Sequence, residues 1–155
     1  MKSLLTILLF ISFSATAQQK WYEPTNNEVA GLVCLTMSGV YKAYHEAINY
    51  KGFGKGSQFW DIRVSNQNKY KHWPDDLRER FPGSTTIFVP FIDGNHLTGA
   101  GNTVTYTGGC YFVFADIKED LKRFKGWEKV GHVALWKVGP FLLRAFTFEK
   151  IYKTL

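Results

Sequence analysis

The sequence predicts an α+β fold: one long helix first, then an antiparallel sheet. Three observations point there. A capping box precedes a run of apolar residues at helical spacing. From residue 85 onward, short runs are rich in β-branched and aromatic side chains. Glycine and proline punctuate those runs as turns punctuate strands.

In the capping box, Thr25-Asn26-Asn27-Glu28, Thr25 stands at the cap and Glu28 reaches back from three residues on. The helix is expected to run to about Asn49. Val33, Met37, Val40, Tyr44 and Ala47 form its apolar stripe, and Cys34, Ser38, Tyr41 and His45 a neighbouring one. GFGKGS, 52–57, reads as a flexible turn, because it lacks the order of a phosphate loop. FWDIRVS, 59–65, is strand-like, and DDLRERF after Pro74 reads as a short helix closed by Pro82-Gly83. TTIFVPF, 85–91, leads through the loop IDGNHLTGAGN into TVTYT and then CYFVFA, 110–115. KEDLKRF, 118–124, gives a helical turn or two. GHVALWK and FLLRAFTFEKI, separated by Val138-Gly139-Pro140, close the meander.

The first residues, MKSLLTILLFISFSATAQQ, combine Lys2, an apolar run from Leu4 to Phe13 and the small-x-small site Ala15-Thr16-Ala17. That is the layout of a secretory signal peptide, too short for a membrane span. Residues 1–17 are therefore set aside, and 18–155 are expected to form one domain, exported to the periplasm or beyond the cell. No later segment has the length or apolarity of a membrane span. The formal net charge is +6 over the chain. Outside a cell this excess favours anionic wall polymers or lipid headgroups as partners, not nucleic acid.

No cofactor or metal is expected. His45, His72, His96 and His132 are scattered without pairing at metal-ligand spacing, and Cys34 and Cys110 form no knuckle. Asp93, Asp116 and Glu119 single out no carboxylate pair. One thiol and one late histidine remain. A cysteine near a helix N-terminus meets the positive end of the helix dipole, which favours thiolate. An imidazole opposite it can take the thiol proton and return it to a leaving amine. His96 is a candidate substrate contact, and Trp127 and Trp136 are expected as packing residues.

VCLTMSGVYKAY, with GCYFVFADIKEDLKRFKGWEKVGHVALWKVG, resembles the cysteine helix and following strands of NlpC-type peptidoglycan peptidases, and is similar still more to type VI secretion amidase effectors. The resemblance covers under half of the domain. It implies a papain-like fold in which the N-terminal helix packs on an antiparallel sheet. It also implies that Cys34 is the nucleophile and His132 the general base of an amidase cutting peptide stems or cross-links of peptidoglycan. An inhibitor or immunity protein is a partner that such effectors imply. Leu143 and Arg144 stand where the effectors carry an acid. If the last hairpin turns about Val138 to Pro140, Thr147 or Glu149 comes opposite His132 and can orient it. The alternative is a non-catalytic secreted binding module of the same fold, stapled by a Cys34–Cys110 disulfide.

Overall fold

A computed structural model describes residues 20–155; the leader expected at 1–17 lies outside them. Helix α1, Asn26–Glu46, begins at the predicted capping box. Thr25 Oγ1 accepts from the Glu28 amide at 3.1 Å, and Glu28 Oε2 accepts from the Thr25 amide at 2.8 Å. The helix continues through a π-helical turn, Ala47–Lys51, and stops at Gly52, where φ is +69°.

The expected sheet is replaced by helices. Among the described residues the strands are only β1, Tyr70–His72, and β2, Asp76–Glu79, paired antiparallel. β2 lies inside the stretch expected to be helical. The strand-like FWDIRVS forms a 3-10 turn, Ile62–Val64, and leads into the short helix α2, Ser65–Lys69. TTIFVPF forms turns and the single-turn helix α3, Val89–Ile92. TVTYT and CYFVFA both belong to one helix, α4, Gly94–Ala115. Next come α5, Ile117–Arg123, and α6, Gly126–His132. A π-helical stretch, Val133–Val138, then leads into α7, Gly139–Thr154. The papain-like arrangement of a helix on an antiparallel sheet is therefore not the fold of this chain.

Two features explain why strand formers go helical here. Thr98, Thr103 and Thr105 turn their hydroxyls onto the carbonyls four residues back, at 2.7, 3.1 and 2.6 Å, so their polar groups are satisfied within α4. Small residues, in turn, let α4 approach α1 closely. A Cβ on Gly31 would lie 2.6 Å from Val113 Cγ2, one on Gly109 2.7 Å from Leu35 Cγ, and one on Gly101 2.8 Å from the Tyr41 ring. On its other flank α1 meets α7, where a Cβ on Gly39 would lie 2.6 Å from the Arg144 carbonyl oxygen. β-propensity measures fit to a half-buried sheet surface, and packing of this kind overrides it.

The apolar core is small: Leu35, Ala43, Ala47, Ile48, Val113 and Phe124. The stripe expected in the core is not all there, since Val33 and Met37 are exposed. Ser38, Asn102 and Arg144 join the three long helices instead, with Ser38 Oγ 2.8 Å from Asn102 Oδ1 and Arg144 Nε 3.0 Å from Ser38 Oγ. No described helix is long and apolar enough to cross a membrane.

Candidate functional site

Between Gly52 and Phe112 every buried side chain is polar: Asp61, Ser65, Asn68, Ser84, Asp93 and Thr98. Burying polar groups is unfavourable unless each is bonded, and each of these is. Three of them, Ser65, Asp93 and Thr98, meet at the N-terminus of α4. Asp93 caps that helix, with Oδ1 accepting from the His96 amide at 2.9 Å. The same carboxylate takes His96 Nδ1 at 2.9 Å and the Ser65 hydroxyl at 2.7 Å. Burial opposes the charge on Asp93, but His96, Ser65 and the His96 amide together hold its carboxyl below the ordinary value. An ionised carboxylate only accepts, so Nδ1 is the protonated nitrogen. In the neutral ring Nε2 then carries the lone pair. Among the described residues nothing hydrogen-bonds Nε2, and the ring is partly exposed.

The surroundings hold this dyad in place. Trp60 packs against the start of α4 so closely that a Cβ on Gly94 would lie 2.1 Å from its ring. Tyr44, Phe53 and Phe59 surround the same indole. Gln58 and Asn68 exchange hydrogen bonds of 2.6 and 3.0 Å beneath it. His45 faces the Asn95 carbonyl at 3.1 Å, and Asn49 donates to Asn95 Oδ1 at 2.8 Å. Asn49 also lines an open cleft of about 270 Å³, whose wall includes Ile48, Phe53, Lys55 and Arg63. Asp61 pairs with Arg63 and accepts from the Gly56 amide, which holds its carboxyl well below the usual range. Lys55 stands exposed at the rim.

The residues expected to be catalytic lie elsewhere and are not brought together. Cys34 and Cys110 are free, partly exposed thiols, so the expected staple is not formed. His132 lies at the end of α6, not on a strand, and is fully buried. Its Nδ1 donates to the Trp21 carbonyl at 2.7 Å, while Nε2 faces Glu28 Oε1 at 2.9 Å and Asp120 Oδ2 at 3.6 Å. Both ring nitrogens are thus directed at groups other than Cys34. Thr147 packs at Gly39 on the α1–α7 contact, and exposed Glu149 pairs with Lys153 one turn on. With α7 helical, no hairpin sets either residue opposite His132.

His132 instead joins a second cluster. Lys137 Nζ lies 2.6 Å from Glu28 Oε1 and 2.7 Å from Asp120 Oδ2, and all four side chains are buried. These are ion pairs by proximity, without the alignment of hydrogen bonds. Burial works to lower the Lys137 pKa, but the Asp120 and Glu28 carboxylates outweigh it and hold the ammonium above its ordinary value. Glu28, Asp120 and His132 each offer a ligand atom, all within 4.8 Å of one another, a set that their sequence spacing conceals. Lys137 already supplies the cation between the two carboxylates, so the set is a charge-compensated brace. It ties α5 and α6 to the start of α1.

No protein-family model matches the chain, and no curated protein or solved structure matches it.

Proposed function

We propose that the protein is a hydrolase in which His96, oriented by Asp93, acts as general base on a small anionic ester. The observation that supports this is the free Nε2 of a carboxylate-anchored imidazole, set in a segment whose buried side chains are all polar. Such a ring can accept a proton from water as the water oxygen attacks the ester. It then returns the proton to the departing alkoxide, which leaves the ring neutral and the products protonated as required. Arg63 at the neighbouring cleft is already paired with Asp61, so exposed Lys55 is the group there that favours a negatively charged substrate. Ser65 is a positioning residue: its hydroxyl is donated to Asp93, not aimed at the ring, so it is not placed as a nucleophile. The amidase expected from the resemblance would need a thiol–imidazole contact that Cys34 and His132 do not make.

A panel of chromogenic carboxylate esters, phosphate monoesters and phosphate diesters tests this reading. At least one class is expected to turn over. His96→Gln should lower kcat by about two to four orders of magnitude, and Asp93→Asn should also lower it by disturbing the tautomer. Turnover that survives His96→Gln unchanged, or no turnover of any class, rejects the proposal.

A further inference from the structure

Trp127 does not pack: it is 87% exposed. It shares the outer face of α6 with Val130, three residues on, while His132 of the same helix points into the brace. Leu121 on α5 and Leu135 and Val138 on the adjoining π-helical stretch are exposed as well. Lys118, Lys122, Lys125 and Lys129 accompany them in sequence, against Glu119 and Glu128. Asp120 is sequestered in the brace with Lys137, whereas Asp116, bonded to the neutral amide of Asn27, keeps its charge; the four lysines still outnumber Asp116, Glu119 and Glu128.

We infer that the α5–α6 face docks onto the surface of an anionic lipid bilayer, with Trp127 entering the headgroup boundary and the lysines meeting lipid charge. An indole flanked by lysines suits the interface between hydrocarbon and water, where the ring body is dehydrated and its N–H stays wet. A second copy of the chain would bring this face against itself under two-fold symmetry, setting lysines against lysines. A soluble polyanion would satisfy the lysines and leave Trp127 in water. The Glu28–Asp120–His132–Lys137 brace fixes both short helices to α1, which makes the face a rigid platform. Docking is superficial, since no described helix can cross. This inference is independent of the role assigned to His96.

Co-sedimentation with vesicles of phosphatidylcholine alone, and of phosphatidylcholine with phosphatidylglycerol, tests it. The chain is expected to bind the anionic vesicles about tenfold more strongly, and to lose affinity as salt rises. Trp127→Ala should weaken that binding about fivefold or more while the circular dichroism spectrum stays unchanged. Lys122→Glu combined with Lys125→Glu should abolish the preference for anionic lipid. Equal binding to both vesicle types overturns the inference. So does anionic binding that Trp127→Ala leaves intact, which would mean charge attraction alone. A dimer dissolved by Trp127→Ala, without vesicle binding, would assign the face to a second copy and overturn it equally.

Discussion

Lys137 Nζ sits within 2.7 Å of both Glu28 and Asp120, in a place water does not reach. Removing the ammonium leaves two carboxylates facing each other with only His132 between them. Lys137→Met is therefore expected to destabilise the protein by about 3–5 kcal/mol, read as a lower urea midpoint at neutral pH. The Lys137 pKa is raised in the folded state, so its contribution is complete below the ordinary lysine value of 10.5. It is lost as pH climbs through the higher folded value, and alkaline unfolding of the wild type should set in there. None of this was legible in the sequence, where the four residues are dispersed between 28 and 137. His132 was singled out, but as a strand residue facing Cys34 on the first helix, and it lies instead at the end of α6. His96 was visible only as a histidine in a presumed loop. The signal that would have raised it is Asp93 three residues earlier, a helix cap and an imidazole anchor in one side chain.

The long helices owe their geometry to where glycine falls. Gly31 and Gly108 are both helical, and replacing either with alanine gains intrinsic propensity of up to about 1 kcal/mol. They differ in what a methyl group would meet. At Gly31 it would lie 2.6 Å from Val113 Cγ2 and 2.8 Å from Val113 N, whereas at Gly108 nothing lies within 4 Å. Backbone cannot move aside as a side chain can, so Gly31→Ala should lose about 1–3 kcal/mol net by overpacking. Gly108→Ala should stabilise by about 0.5–1 kcal/mol. Thermal melts of the two variants beside wild type check both signs. The start of α1 could be read from Thr25 and Glu28, because a capping box is a local device carried by four residues. α4 could not. Its TVTYT and CYFVFA runs have the composition of strands. The threonine hydroxyl bonds within α4, together with contacts to α1 made by residues sixty or more positions earlier, decide that they coil instead.

The molecule has two dissimilar ends. At one, the far end of α1 meets the start of α4 through His45, Asn49 and Asn95, beside the bonded Asp93–His96 pair. At the other, α5 and α6 are braced to the beginning of α1 and expose Trp127. The Asp93–His96 pair also marks the response of the fold to acid. Asp93 has a folded pKa below its ordinary value of 3.8, so its stabilising effect is present above that value. It is lost as pH falls through the lower folded one. Asp93→Asn should therefore flatten the acid limb of a plot of Tm against pH while lowering the plateau near neutrality. The central claim is that the Asp93 carboxylate fixes the His96 proton on Nδ1 and leaves Nε2 free to act as a base. Long-range ¹H–¹⁵N correlation spectra of the ¹⁵N-histidine-labelled protein, recorded where the ring is neutral and assigned with His96→Gln, test this directly. A protonated Nδ1 and a bare Nε2 are expected, shifting toward an even mixture in Asp93→Asn. A proton on Nε2 in the wild type, or a tautomer that Asp93→Asn does not change, would contradict it.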